Sequence, residues 1–283
     1  MNNREYIKRF SELSDHDWLA LLMRSLEQHV IDGLEMPGFP EDKIQSGFTG
    51  SAREKTLEEA FVFYKEVKRF ARKLKIDLST DTAVMDFGCG WGRHYRFFLR
   101  DVSTEHFWGV DIDDSMIQVC KKTIKVGQFE RCDISPPLGF PNDCFDIIYS
   151  YSVFSHLSEE VHLGWISEFS RILKPGGMLI VSTLKREHVY VWENHLKGGN
   201  QFWLQALRKS GFEVEKAQND LKSGKFLYCP IGGGGIREST FYGEAIIGPK
   251  YIERRWTPFM NFIEYVDQPS KGPQALIVMQ KAI

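Results

Sequence analysis

Three glycines spaced by one residue each, Gly88, Gly90 and Gly92, follow a short apolar run, Ala83–Phe87, and lead into a helical pattern from Arg93 to Leu99. Glycine tolerates positive φ and brings no Cβ, so a ligand can lie against bare backbone at such a turn. A helix that starts there aims its free N–H groups and the positive end of its dipole at the same place. Strand, glycine turn and helix start together describe a nucleotide or nucleoside site. Two acids select among such ligands. Asp86 stands two residues before the first glycine, where a buried carboxylate would repel a pyrophosphate and suit a cationic amino group. Asp111 ends the next apolar run, Phe107-Trp108-Gly109-Val110, and a carboxylate at a strand tip can accept both hydroxyls of a ribose.

The spacing G-x-G-x-G differs from the G-x-G-x-x-G of dinucleotide sites, which disfavours an NAD-dependent oxidoreductase. An acid for an ammonium, bare glycine backbone and an acid for a ribose fit S-adenosylmethionine (SAM) better. Further motifs follow in order: Gly109-Val-Asp111-Ile, Arg131-Cys-Asp133-Ile, Phe145-Asp-Ile-Ile-Tyr149-Ser-Tyr, and Leu173-Lys-Pro-Gly-Gly-Met-Leu-Ile-Val. With Asp86-Phe-Gly-Cys-Gly-Trp-Gly92 they resemble the ordered motifs of class I SAM-dependent methyltransferases over about Thr82 to Ser182, and weakly again at the C-terminus. The Phe48-Thr-Gly segment, Tyr151-Ser-Val-Phe-Ser-His-Leu157 and Phe241-Tyr-Gly-Glu-Ala245 are similar to a bacterial subgroup that often accompanies polysaccharide and glycan biosynthesis.

The resemblance implies SAM as methyl donor and S-adenosyl-L-homocysteine (SAH) as product. It implies cofactor contacts from Asp86, Phe87, Gly88, Cys89, Gly90, Arg93, Asp111, Ile112 and Ser150. By the same analogy Asp133 meets the adenine amino group and Ile134 packs on the ring, the alternative being an exposed turn acid before Pro136-Pro137.

The elements that must position these residues alternate strand and helix, which implies an α/β fold with a mostly parallel sheet covered on both faces. The expected architecture is a Rossmann-like, seven-stranded methyltransferase sheet whose last strand is antiparallel. An N-terminal helical extension precedes it, and an insertion follows strand five. Core strands are expected at 83–87, 106–111, 128–132, 145–151 and 178–182, with helices at 92–100, 114–123 and 158–173. Lys174-Pro-Gly-Gly177 reads as a helix stop and turn. The final helix and strand pair are expected at 249–256, 259–267 and 274–280. The corresponding division of the chain is 1–75 for the helical extension or lid, 76–183 for the SAM-binding core, 184–248 for the insertion and 249–283 for the rest of the core. A strand pair around 212–217 and 226–229 is expected in the insertion, together with a helix containing Phe202, Trp203 and Leu207. Gly211-Phe-Glu-Val is the alternative sixth core strand. In the extension, helices are expected from Ser14-Asp-His-Asp17 onward and over 56–75, where Tyr64 falls on the apolar stripe. Phe48–Ser51 reads as a loop joining them, or as a lid over the methionine end of the cofactor.

Acceptor chemistry should lie at the carboxyl ends of the strands. Beyond strand four stand Tyr151 and then His156, a candidate general base because its ordinary pKa lies near neutral. Its alternative role is to cap or pack at the start of the next helix. Arg237, Tyr242 and Glu244, in the insertion, are candidate acceptor contacts, and such aromatics with a few polar groups suit a sugar ring or an apolar small molecule equally. They could equally form the insertion's own core. No Asn/Asp-Pro-Pro-Tyr tetrad occurs, which lowers the case for planar amino groups of bases or glutamine.

Composition sets bounds. The 283 residues carry a net charge of -2, which predicts no broad nucleic-acid or anionic-membrane surface. No apolar run reaches transmembrane length, and no apolar segment of a signal peptide follows Met1-Asn-Asn-Arg-Glu5. The five cysteines show no C-x-x-C pairing, which argues against a zinc site and fits a reducing, cytoplasmic setting. The sequence therefore points to a SAM-dependent methyltransferase acting on an oxygen of a glycan precursor or other small molecule. N-methylation of a small molecule or protein is the alternative, as is a SAM-binding regulator without transfer activity.

Overall fold

The structure, a computed structural model, describes residues 3–198, 204–209, 211–268, 270 and 272–283. It forms two compact units, one up to Asp133 together with Cys144–Tyr149, the other Ile134–Asp143 with Ser150–Ile283. A mixed seven-stranded sheet has the expected α/β, Rossmann-like order.

The first unit opens with α1 (Arg4–Phe10) and α2 (Asp15–Arg24). The Ser14 hydroxyl caps α2 by accepting from Asp17 N, so the Ser-Asp-His-Asp start works as its residue types require. A two-residue ribbon, β1 (Val30–Ile31) and β2 (Leu34–Glu35), follows, then α3 (Asp42–Thr49) and the long α4 (Arg53–Lys73). Phe48 and Thr49 thus end a helix, whereas the sequence suggested a loop. Gly50, at φ 74°, supplies the left-handed C-cap of α3. α4 buries Leu57, Ala60, Phe61, Tyr64, Val67 and Phe70 on one stripe.

β3 (Val84–Phe87) leads through the glycine turn to a single 3-10 helix, Tyr95–Arg100. β4 (Phe107–Asp111), α5 (Asp114–Thr123), β5 (Gln128–Arg131) and β6 (Phe145–Ser150) complete the alternation. β3 pairs in parallel with both β4 and β6, and β4 with β5. The helical extension is bolted to the 3-10 helix. Trp18 Nε1 donates to Phe97 O at 2.9 Å, and Asn3 Nδ2 donates to Leu99 O and Val102 O at 2.6 and 2.7 Å. Arg100 is 1% exposed, and its guanidinium donates to Leu13 O, Ser14 O, Asp15 and the Tyr64 hydroxyl. A buried guanidinium is tolerable only with its donors satisfied in this way.

The second unit holds α6 (Glu159–Ile172), β7 (Leu173–Thr183), α7 (His188–Gly198), α8 (Leu204–Lys209), α9 (Val214–Lys222), β8 (Leu227–Cys229), β9 (Glu244–Ile246), α10 (Pro249–Arg255), β10 (Asn261–Val266) and β11 (Ala275–Gln280). β11 runs antiparallel to both β7 and β10, and the sheet order is β10-β11-β7-β6-β3-β4-β5. Lys174-Pro-Gly-Gly177 lies inside β7 instead of forming a separate turn. Gly176 N donates to Lys281 O and Lys281 N to Gly177 O, so pairing with the segment after β11 extends the strand backward.

Residues 214–222 are helical, which overturns the strand expected over 212–217 and also the alternative sixth core strand. Val214, Ala217 and Leu221 fall on one helical face, and Ala217 and Leu221 are buried with Val189, Trp192, Leu204 and Leu207 in a local core. That contact recruits the helical period over the short alternation at Phe212 and Val214. β8 pairs antiparallel with β9, its partners lying 15 to 19 residues further on. Phe202 and Trp203, expected in a helix, lie outside the described residues. Among the described residues no helix is long and apolar enough to cross a membrane.

Candidate active site

In the first unit the glycine turn takes the backbone that its composition requires. Gly88, Gly90 and Gly92 have φ of 73°, 52° and 78°. Gly88 N and Cys89 N both donate to Val110 O, and Arg96 Nε donates to Gly92 O at 3.1 Å. Arg96 is itself buried between the Phe39 and Trp91 rings, and burial pulls its pKa down to about 9. A Cβ at Gly90 would enter open space, so this backbone is bare on its outer side. Asp111 completes the turn: its Oδ2 accepts from Gly90 N at 2.8 Å and its Oδ1 from Asp113 N at 2.9 Å.

Asp86 is 2% exposed. Burial pushes its pKa up to about 8, the Tyr149 hydroxyl and Arg93 oppose the rise, and the Asp111 carboxylate adds to it. Asp86 Oδ2 and the Tyr149 hydroxyl are buried side by side, close enough to interact but without good hydrogen-bond geometry. A buried carboxyl oxygen left unpaired costs about 1–3 kcal/mol, and a cationic donor would repay that cost. The residues therefore fit the SAM amino acid group at Asp86, the bare turn at Gly88–Gly90 and a ribose at Asp111.

Other predicted cofactor residues are placed as follows. Phe87 and Cys89 bury their side chains and so offer backbone alone. Arg93 donates to Thr56 Oγ1 at 3.3 Å and pairs with Glu59 at 3.5 Å, tying the turn to α4. Ile112 is half-buried, and Asp133 is exposed with Arg131 at 3.7 Å. In the second unit, Ile134 is an exposed apolar side chain whose carbonyl accepts from Trp165 Nε1, and Ser150 is fully buried with its hydroxyl unpaired.

The second unit gathers the predicted acceptor residues. The His156 ring stacks on Tyr242 at 4.7 Å and 9°. His156 Nδ1 donates to Gly243 O at 2.8 Å, which fixes the tautomer with a lone pair at Nε2. Gly243 must be glycine, because a Cβ would meet Cys229 O at 2.1 Å. Burial lowers the His156 pKa; the Gly243 carbonyl and Glu244 oppose this, and Arg237 and His188 add to it. The imidazole is thus neutral at physiological pH. Burial would raise the Glu244 carboxyl, but His188 and Trp192 outweigh it and hold Glu244 ionised. His188 Nε2 lies 3.6 Å from Glu244 Oε2, which also accepts from Trp192 Nε1. His188 and Trp192 escaped sequence reading. Their signal was the i, i+4 spacing on α7, legible only once that helix is known.

Tyr151 is half-buried at the start of the loop that carries His156. The next residue, Ser152, has φ 62°, a left-handed conformation that costs a non-glycine residue about 1–2 kcal/mol. A closed ring of hydrogen bonds holds it there. Ser152 N donates to Ser182 Oγ at 2.6 Å, Ser182 Oγ to Gln274 Oε1 at 2.6 Å, and Gln274 Nε2 to Ser152 Oγ at 2.9 Å. Among the described residues no cluster of three or more His, Cys, Asp or Glu is arranged to hold a metal ion.

Residues 84–177 match a family model described as a methyltransferase domain. This segment of the chain is a methyltransferase domain, and its glycine turn, Asp86 and Asp111 fit SAM as a cofactor. The match begins at β3 and takes in the glycine turn, Asp111, Asp133 and the His156 loop. The chain is 29% identical over 150 residues to phosphoethanolamine N-methyltransferase 1 of Triticum aestivum, across 50% of this chain and 29% of that one. It is 28% identical over 195 residues to phosphoethanolamine N-methyltransferase 3 of Arabidopsis thaliana, across 63% and 39%. The chain thus spans well under half the length of these two relatives. Its fold is similar to that of a SAM-dependent methyltransferase from Clostridium acetobutylicum, with TM-score 0.53, 14% identity, and coverage of 78% of this chain and 92% of that one.

Proposed function

We propose that this protein is a SAM-dependent methyltransferase that methylates a hydroxyl oxygen of a small molecule, with a sugar or glycan precursor favoured. Bound SAM supplies an electrophilic methyl on a sulfonium, with a neutral thioether as leaving group. Asp86, the Gly88–Gly90 backbone and Asp111 would hold that cofactor. Positioning then supplies much of the rate. His156 takes the hydroxyl proton at Nε2 as the new C–O bond forms. The observation that carries this reading is the neutral His156, anchored at Nδ1 and stacked on Tyr242. The Tyr242 ring with Glu244 and Arg237 suits a sugar, whose faces are apolar and whose edge is rich in hydroxyls.

A second reading is N-methylation of a small amine. The similarity to phosphoethanolamine N-methyltransferases favours it, as does the ionised Glu244, which would attract an ammonium. Incubation with SAM carrying a labelled methyl and a panel of nucleotide sugars, simple glycosides and small amines separates the two. Methyl ethers identified by mass spectrometry support the first reading, and N-methyl products replace it with the second. SAH binding with no labelled product from panel or lysate would favour a binding protein without transfer activity.

A further inference from the structure

A cavity lies in the second unit, away from the residues assigned above. It has a volume of about 630 Å³, within the 300–1,000 Å³ typical of small-molecule sites. Three helices wall it. The region of α7 contributes Arg186, Glu187 and Tyr190, α9 contributes Gln218, Leu221 and Lys222, and α10 contributes Pro249 and Lys250.

The walls are mostly hydrocarbon, from the Tyr190 ring, Leu221, Pro249 and the lysine stems. Tyr190 is 47% exposed, a large aromatic face that the local core does not use. Its hydroxyl accepts from Gln218 Nε2, which fixes the ring across the gap between α7 and α9. The charges are unequal. Arg186 is neutralised by Asp267 at 3.2 Å, and Glu187 is the only lining acid among the described residues. Neither Lys222 nor Lys250 has an ion pair or hydrogen bond for its ammonium among the described residues. Two free cations at the rim of an apolar hollow attract an anion and its hydrocarbon body together.

The cavity is distinct from the His156 cluster. On a helix of 3.6 residues per turn, Glu187 and Tyr190 point to one side while His188 and Trp192, which hold Glu244, point to the other. Helix α7 therefore separates the two places.

We propose that this cavity binds a small anionic amphiphile, an aromatic or short aliphatic body carrying a phosphate or carboxylate, as a ligand additional to cofactor and acceptor. The inference does not depend on which atom the enzyme methylates. Phenyl phosphate is the probe, titrated into the full chain by calorimetry and by methyl NMR of Leu221. Saturable binding in the millimolar range or tighter is expected, with Leu221 shifts. The double variant Lys222→Gln/Lys250→Gln should weaken it about tenfold. Both lysines are exposed, so the variant should keep the thermal shift given by SAH. Tyr190→Ala should weaken phenyl phosphate more than it weakens inorganic phosphate. Phenol binding as tightly as phenyl phosphate would overturn the assignment. So would undiminished affinity in the double variant, or the absence of saturable binding.

Discussion

Replacing Asp86 by Asn should abolish a pH dependence of cofactor binding that the wild-type protein shows. The Asp86 carboxyl, raised by burial to about 8, is protonated in most molecules at neutral pH when no ligand is bound. A ligand ammonium needs the carboxylate. With a pKa of 8, about 9% of the protein is ionised at pH 7, about half at pH 8 and about 1% at pH 6. SAH affinity should therefore rise about fivefold from pH 7 to 8 and about fiftyfold from pH 6 to 8, with nearly one proton released per ligand at pH 7. Calorimetry in buffers of different ionisation enthalpy counts that proton. In Asp86→Asn the affinity should be flat with pH and lower than wild type at pH 8, by the roughly 1.5–3 kcal/mol of a charge-assisted hydrogen bond. The two proteins should converge near pH 6, where ionising Asp86 costs about 2.7 kcal/mol. Stability without ligand follows the same linkage. The folded pKa lies above the unfolded value of 3.8, so this group's contribution is full below about pH 4 and is lost as pH rises through about 8. Wild-type affinity that is flat from pH 6 to 8 with no proton released would refute the assignment of Asp86 to the ammonium.

Two more predictions separate binding, chemistry and folding. His156→Gln should lower kcat about 10²–10⁴-fold while leaving SAH affinity intact, and the acidic limb of wild-type kcat should fall below the ordinary histidine value of 6.5, since burial lowers this pKa. An acidic limb of kcat above 6.5 would exclude His156 as the base. Arg100→Met takes a donor from the Asp15 carboxylate, which keeps Lys68, and from the Leu13 and Ser14 carbonyls, and should destabilise the protein by about 1–3 kcal/mol in denaturant melts; no measurable loss would show that water replaces the guanidinium.

The cofactor side of the fold was legible in the residues because its signals are local. A strand, a glycine turn and an acid at the next strand tip need no distant partner to be recognised, and α5 begins and ends where the sequence placed it. Errors arose where a tertiary contact decides. Phe212 and Val214 alternate like a strand, yet the local core under Ala217 and Leu221 selects a helix. Lys174-Pro-Gly-Gly177 is rich in turn residues, yet Lys281 pairs with it and draws it into β7, with Gly176 at φ 78°. Around His156, the aromatic and acidic partners in the insertion were found by type. The two α7 residues that hold Glu244 were missed, because a helix must exist before residues 188 and 192 share a face. A positive φ at Ser152 has no signature in a serine.

The ring through Ser152, Ser182 and Gln274 has a consequence for the order in which the chain becomes an enzyme. Gln274 stands just before β11, whereas the loop it fixes was synthesised some 120 residues earlier. On the ribosome, the glycine turn, Asp86 and Asp111 have all emerged long before that glutamine does. A nascent chain can thus assemble the local elements of cofactor binding early. The loop carrying Tyr151 and His156 gains this anchor only once Gln274 has emerged, so it is set after the glycine turn.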